Sequence, residues 1–547
     1  GITTMKKILI YGLSTLMMTA ATVTFTGCID ETMPTSGATA EQVEKNNADN
    51  VLQILRGSAS YLCEPWTTSY HWAFGYGALM RIRDLQSGDI AQYDGGSNYN
   101  QFWYWYENQG MARDYAYAQF QWEYQMGMVN MANKTIGMID PETASDELKG
   151  YLGAALTFRA MAYLDMAREY EFLENEYTLP KSPEGNDIKG LTVPIVTEDL
   201  TEDESRNNPR AKREDMATFI LEDLDNAEQY IPYLALDEKN MPHLDVVYGL
   251  KARLYMWLEQ YKDAEKYARM AIDEADTAPM TKDEALSTIS GFNDINKWMW
   301  GAQYTSAHVS NLICWTAFAS SEVCYGYVGP MAYGSTDCFN LIDAYMYKRI
   351  SSTDWRKLEW KAPEGTALYG QNSYIDEGVG AALADYASLK FRPNSGNITD
   401  YTIGNVSAFP LMRVEEMYFI EAEAAAQQDP ARGVQLVEQF MKNYRDPQYT
   451  CSASSKEDVV EEIVFQKRVE LWGEGQSFFD IKRLNYPVIK DYEGSNHGEA
   501  AQKQANSYTT RPGWMNWCIV LSEENGNAGV RGYNNPDPSY REPEKDT

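Results

Sequence analysis

The side chains whose types and spacing point to chemistry in this chain are aromatic. Tyr outnumbers Phe 39 to 17, with 14 Trp besides. A dry interior favours Phe, whereas Tyr and Trp suit surfaces that are apolar on one side and wet on the other. Ten of the 14 Trp fall in two windows. Tyr61 to Tyr124 contains Trp66, Tyr70, Trp72 and the run Phe102-Trp103-Tyr104-Trp105-Tyr106. Trp298 to Tyr374 contains Trp298, Trp300, Tyr304, Trp315, Tyr325, Tyr327, Tyr345, Tyr347, Trp355 and Trp360. Five successive aromatics cannot all enter one core, because both the helical and the extended period turn some of them outward. In an extended segment Trp103 and Trp105 share a face. Sugar rings carry apolar C–H faces, and burying about 60 Å² of one on an indole contributes roughly 1.5 kcal/mol. Three such contacts with a few hydrogen bonds give about micromolar to millimolar affinity, which suits capture and hand-over. Any single ring is more often a core residue than a contact; a cluster of them is what carries the expectation.

Catalytic motifs are sparse. There is no Gly-x-Ser-x-Gly elbow, no Gly-Lys pair and hence no Walker A loop, and no Gly-x-Gly-x-x-Gly. The four His lie far apart in sequence, so no local His-based zinc motif exists. Carboxylates are plentiful, which leaves a glycosidase pair open, yet among 79 acidic residues any chosen pair is far more often a solvated face. Arg159, Glu416, Glu423, Arg468, Glu470, Asp480 and Arg483 lie on amphipathic stretches and are expected to pair between helices.

The elements that must position the aromatics come from a chain of 547 residues with 44% apolar residues, ample for a sizeable core. With 47 Lys and Arg against 79 Asp and Glu, the net charge of −32 excludes nucleic acid and disfavours highly anionic substrates. From Glu41 to about Ala275 apolar residues recur at helical spacing, as at Val51, Leu52, Leu55 and Leu62, through Tyr115 to Ile139, and at Leu152, Ala155, Leu156, Ala160, Tyr163 and Leu164. Thr192 to Val196 is a strand-like break. Tyr248, Ala252, Tyr255, Ala264 and Ala271 fall at tetratricopeptide offsets, with small residues where two helices cross. A second copy runs from Tyr418 through Ala422, Ala425 and Val434, with Asp429-Pro430 opening its second helix. The stretch between the copies, about Pro279 to Val406, is rich in Gly, Ser, Asn and Tyr and has little helical period. The fold class expected is mainly α, a tetratricopeptide-like superhelix with an inserted irregular, loop-rich lobe. The expected organisation is a signal peptide over 1–27, a tether over 28–40, a helical part over 41–278, the lobe over 279–406, and a helical part with an extended wrapping tail over 407–547.

The first segment supplies an address. Met5-Lys6-Lys7 is followed by an uncharged run from Ile8 to Gly27, the pattern of a secretory signal. Phe25-Thr26-Gly27-Cys28 resembles the bacterial lipobox, which makes Cys28 the expected acylation site, with palmitate among its lipids; Phe25 departs from the usual Leu. Asp30 and Glu31 resemble the signal that sends some lipoproteins of Gram-negative bacteria to the outer surface. The other six Cys show no Cys-x-x-Cys spacing, and a disulfide among Cys314, Cys324 and Cys338 is compatible with an oxidising compartment.

Several segments in order resemble the SusD/RagB family of outer-membrane nutrient-binding lipoproteins. Leu156-Thr-Phe-Arg-Ala-Met-Ala-Tyr-Leu-Asp165 looks like its early Arg-Ala helix, and Phe409 to Ala424 like its proline-led Arg-x-x-Glu-x-Tyr helix. Arg468-Val-Glu-Leu-Trp-Gly-Glu-Gly-Gln-Ser-Phe-Phe-Asp-Ile-Lys-Arg483 resembles its strongest motif. Gln476-Ser477 stand where members often carry an Arg, a departure expected to alter a structural salt bridge. Ile519 to Asn525 and Asn534-Asn-Pro536 resemble its closing motif.

The resemblance implies a non-enzymatic protein that sits as a lid on a SusC-like TonB-dependent transporter. It also implies an oligosaccharide or polysaccharide ligand, a lipid anchor in the outer membrane facing the exterior, and no cofactor; it leaves calcium open. Relatives hold carbohydrate with aromatics of the early loops and of the lobe. Local similarity makes Trp103, Trp105 and Asn108 the first candidates for ligand contacts, joined by Trp66 and Trp72, with Trp298, Trp300, Tyr325 and Tyr327 behind them. The function expected is glycan capture and delivery. Peptide capture, as in some relatives, and an α-helical glycoside hydrolase are the alternatives.

Overall fold

Small residues placed where helices cross let backbones approach closely, and this sets the frame. The computed structural model describes residues 40–67, 70–92, 102–289, 291–309, 314–324 and 340–542. The chain divides into two compact units, Gly1–Asp49 and Asn50–Thr547, and the contacts of the frame and of the site lie within the second. The signal peptide, Cys28 and the lipobox, Tyr325, Tyr327 and Cys338 lie outside the described residues.

The protein is mainly helical. Its principal helices are α1 (Ala40–Tyr61), α2 (Tyr76–Ser87), α3 (Trp103–Tyr106), α4 (Ala116–Ile136), α5 (Asp146–Tyr170), α6 (Arg213–Tyr230), α7 (Leu244–Trp257), α8 (Tyr261–Glu274), α9 (Val414–Gln428), α10 (Pro430–Tyr444), α11 (Lys456–Glu470) and α12 (Ser477–Leu484). The helices pack on one another in turn, α5 on α4 and α6, α8 on α7 and α9, and α9 on α10 and α11. Ala252, Ala264 and Ala271 are fully buried in the α7–α8 hairpin, as their spacing requires. In the α9–α10 hairpin the Asp429 carboxylate accepts from the Ala431 N–H at 3.1 Å and Pro430 opens α10, so cap and proline start the helix together. Phe419, Ala422, Val437, Phe440 and Ile463 join α9, α10 and α11 in one apolar cluster.

The longest helix, α5, shows how both ends are satisfied. At its start the Ser145 hydroxyl accepts from Leu148 N–H at 3.3 Å. At its end Lys482 gives its ammonium to the carbonyls of Arg168, Glu169 and Glu171 at 2.8, 3.1 and 2.7 Å, covering orphan acceptors with a cation at the negative end of the dipole. Along its side, a Cβ on Gly153 would lie 2.6 Å from the Ile231 nitrogen, so only glycine lets the turn after α6 seat there.

Two small antiparallel sheets tie distant segments. In the first, β1 (Ile90–Gln92) pairs with β3 (Asn340–Ile342), Ile90 opposite Ile342. In the second, β2 (Trp300–Gln303) pairs with β4 (Ala408–Met412), Trp300 opposite Met412. Thr192 to Val196, expected as strand-like, runs extended with Leu191 bridged to Lys212. Buried ion pairs cross-link the rest. Arg159 holds Asp223 through two 2.8 Å bonds, and Arg253 holds Glu416 at 2.6 and 2.7 Å. Glu470 of α11 takes Arg356, Arg413 and Arg445 at once, which holds its carboxyl well below the usual range. Asp480, beside the Gln476-Ser477 departure, is held by Lys467 and Arg483 at 2.9 Å each. Cys324 is disulfide-bonded, whereas Cys63, Cys314, Cys451 and Cys518 are free.

Candidate functional site: an aromatic shelf

The five-aromatic run folds as a single helical turn, α3, and its period decides which rings face out. At about 100° per residue, Trp103 and Trp105 point to opposite sides. Trp105 is fully buried, 5.0 Å from Tyr117 and 5.5 Å from Trp72, with its indole N–H on Gln121 at 3.4 Å. Phe102 and Tyr106 are buried beside it. Trp103 and Tyr104 remain half-buried and stack on each other with centroids 3.9 Å apart. The expectation that Trp103 and Trp105 share a face is thereby corrected.

The turn after α3 is built for a tight return. Asn108 and Gly110 are both left-handed, with φ of 55° and 59°. A Cβ on Gly110 would sit 2.9 Å from the Tyr104 ring and 3.4 Å from that of Tyr115, so glycine at this position lets the two rings flank the backbone. Asn108 is buried and its amide donates to the Tyr540 carbonyl at 3.2 Å, fastening the C-terminal tail. With its Oδ1 buried as well, it is an inward-facing turn residue and not a surface contact for a ligand, which corrects its place among the candidates.

The loop before α2 brings the second set of rings. Trp66 N–H bonds to the Ala73 carbonyl at 2.9 Å and Ala73 N–H to the Tyr70 carbonyl at 3.1 Å, closing the loop on itself. Tyr70 then lies 5.9 Å from Trp66 and 5.1 Å from Trp72, stacked on both. Trp72 is buried and meets Tyr117 at 5.0 Å, and Tyr117 meets Tyr104 at 4.2 Å. The result is a continuous band, Trp66–Tyr70–Trp72–Tyr117–Tyr104–Trp103, drawn from a loop and two helices. Its outward members are Trp66, Tyr70 (39% exposed), Trp103, Tyr104 and the adjoining Tyr115 (46% exposed). Trp72, Trp105, Tyr117 and Phe120 back it from beneath.

The shelf's polar groups are hydrogen-bonding rather than cationic. Trp66 donates its indole N–H to Glu123 at 3.2 Å, and Gln119 donates to the same carboxylate at 2.7 Å. Burial and the neighbouring Tyr104 hydroxyl push the Tyr117 hydroxyl upward, so it stays a neutral phenol at physiological pH. The charged residues adjoining these rings in sequence are Glu64, Glu107, Asp114 and the lone cation Arg113, which pairs with Glu524.

The second window behaves differently. Trp298 and Trp300 are fully buried, Trp298 against Phe292 at 5.6 Å and Trp300 edge-on to Phe158 at 5.3 Å. They sit in and beside β2, which is buried up to the half-exposed Gln303, and are core residues rather than ligand contacts. Trp315 and Trp360 are buried as well, while Tyr345 and Tyr369 stand exposed. Spacing alone missed Tyr70, Tyr104, Tyr115 and Tyr117 as individual residues. Tyr117, Phe120 and Tyr124, three and four apart at the start of α4, were the available signal for that face. Among the described residues no cluster of His, Cys, Asp or Glu could hold a metal ion, and no helix is long and apolar enough to cross a membrane.

Comparisons with known proteins agree with this frame. Residues 344–516 match the model of the SusD family. A SusD-like carbohydrate-binding protein from Bacteroides vulgatus shares 21% identity, with 88% of this chain and 97% of that chain covered and a TM-score of 0.68. A SusD superfamily protein from Bacteroides thetaiotaomicron gives 18% identity, coverage of 89% and 99%, and a TM-score of 0.67. One from Parabacteroides distasonis gives 15% identity, coverage of 90% and 98%, and a TM-score of 0.63. No curated protein matches the sequence. The fold is the SusD-like helical frame, and residues 344–516 carry the match to the SusD family.

Proposed function

We propose that this protein is a non-catalytic glycan-binding lipoprotein of the outer cell surface, anchored through Cys28, that captures oligosaccharides and delivers them to a SusC-like TonB-dependent transporter. The observation that carries the reading is the band of stacked rings with five outward members on a rigid backing. Stacked indoles and phenols offer flat apolar faces to sugar C–H groups, and their N–H and O–H groups meet sugar hydroxyls. A row of shallow contacts fits a chain of sugars better than one enclosed monosaccharide. Its carboxylate surroundings favour neutral over acidic glycans. The division into a helical part over 41–278, a lobe over 279–406 and a second helical part with its tail over 407–547 belongs to the same proposal. The first part carries the shelf.

The test is binding of the purified chain, without residues 1–27, to a panel of neutral polysaccharides and their oligosaccharides by affinity gels and calorimetry. Binding at micromolar to millimolar Kd, competed by oligosaccharide and not by peptide mixtures, supports the proposal (about −8 to −4 kcal/mol). Binding of peptides alone, or release of new reducing ends from a bound glycan, overturns it.

A further inference from the structure

A second site is suggested well inside the helical frame. A cavity of about 440 Å³ opens where α5, α7, α9, α11 and α12 converge, and its lining includes seven cationic and four carboxylate side chains. In a chain of net charge −32 this local excess runs against the whole. Five of the seven cations are matched: Arg213 by Glu171, Arg253 by Glu416, Lys467 by Asp480, Arg483 by Glu423 and Arg168 by Asp165. The other two bond to no carboxylate among the described residues. Lys482 spends its ammonium on three neutral carbonyls. Among the described residues the Arg511 guanidinium bonds to the Asn485 side chain through Nε at 3.0 Å, and its Nη atoms have no acceptor. Arg168 uses Nε on the Leu164 carbonyl and Nη2 on Asp165, a carboxylate it shares with Arg83, which leaves Nη1 without an acceptor.

One neutral donor joins them. Gln476, only 7% exposed, lines the cavity, and among the described residues its side-chain amide bonds to no group. The spare N–H donors of this amide and of the two guanidinium groups open onto the cavity, where a bound group can accept from them. Glu259, exposed at the edge, bonds to no cation among the described residues but is the carboxylate that acts most on Arg511.

We propose that this cavity binds a small oxyanion, a phosphate or sulfate group, through Arg168 Nη1, the Arg511 guanidinium and the Gln476 amide. Burial lowers Arg168 against the opposing pull of Asp165, and burial lowers Lys482 to about 7 against that of Glu171. The fork of an arginine suits an oxyanion's geometry, and two such groups with an amide make a specific cradle. The cavity is larger than the anion itself, so the group is either free or carried on a sugar. This site stands apart from the shelf, and neither proposal rests on the other.

The test uses the full chain without residues 1–27, with inorganic phosphate, sulfate, glucose 1-phosphate and glucose as probes. Calorimetry and thermal melting are run at constant ionic strength against a chloride control. Phosphate or sulfate is expected to bind and raise the melting midpoint, and glucose to do neither. Tighter binding of glucose 1-phosphate than of phosphate identifies a sugar-borne group, and equal binding a free anion; both uphold the oxyanion site. Arg511→Gln, at a half-exposed position, and Gln476→Glu, which puts a carboxylate in the cradle, are each expected to weaken phosphate binding about tenfold. Both are expected to keep the unliganded melting midpoint near that of the parent. No phosphate- or sulfate-dependent change beyond chloride, or a change that survives in both variants, overturns the proposal.

Discussion

Replacing Trp103 and Trp105 separately by Ala should have opposite consequences, because α3 turns one ring out and the other in. Trp105 is wholly buried among Phe102, Trp72 and Tyr117. Truncating a buried Trp removes its transfer energy and leaves a cavity, a cost of about 3–5 kcal/mol. With about 2.1 cal/mol/K of unfolding entropy per residue over roughly 500 residues, Trp105→Ala lowers the melting midpoint by about 3–5 °C. Trp103 is half-buried and, among the described residues, stacks on Tyr104 alone, so its loss costs the fold little, about 1 kcal/mol or less. What it removes is ligand contact. About 60 Å² of sugar face at 25 cal/mol/Å² is roughly 1.5 kcal/mol, a little over tenfold in Kd. The assay is calorimetry with the tightest oligosaccharide of the panel, beside scanning calorimetry of both variants. A Trp103→Ala protein that binds like the parent, or a Trp105→Ala protein that melts like it, refutes the assignment of the two faces.

Other outcomes follow from the same structure. Gly110→Ala forces an L side chain into a left-handed turn and toward the Tyr104 ring, so glycan affinity falls while Gly185→Ala, in an open left-handed turn, leaves it unchanged; calorimetry of both variants checks this. Arg159→Ala leaves Asp223 buried and unpaired, costing about 3–5 kcal/mol in denaturant unfolding without altering glycan binding. Burial raises Glu169 and Glu359 to about 7 and Asp245 to about 6, so the native state binds more protons than the unfolded one between pH 4 and 7. The stabilisation from these groups is full at low pH and lost as pH rises through 6 to 7. Asp480, held at about 2, contributes stability above pH 4 that is lost only in stronger acid, and Lys482 adds stability only as pH rises above about 7. The melting midpoint is therefore higher at pH 5.5 than at pH 7, read by scanning calorimetry.

The helical frame was legible because its information is local. Small residues at crossing positions, the Asp429-Pro430 start and the three- and four-residue apolar spacing each act within one or two turns. The charged residues singled out on those helices do pair between elements: Arg159 with Asp223, Glu416 with Arg253, Glu423 with Arg483, and Arg468 with Asp89. The first aromatic window was legible as a region, not as a set of rings. Whether Trp105 faces in or out turns on one short segment being helical rather than extended, which four residues cannot announce. Tyr117 and Tyr70 reach the shelf through tertiary contacts between a loop, α3 and α4, and no sequence spacing records those. Trp298 and Trp300 carry the same residue type as a binding ring, but the pairing of β2 with a strand more than 100 residues away buries them. The charged cavity, likewise, forms from five helices that meet only after folding.

The central claim is that sugar rests on the Trp66–Tyr70–Tyr104–Trp103 band. A crystal structure of the protein with the best-binding oligosaccharide tests it most directly. The account predicts at least two sugar rings laid flat against these side chains, with hydroxyls near Glu123 and the tyrosine O–H groups. Oligosaccharide seated on other residues, with this band bare, would contradict it.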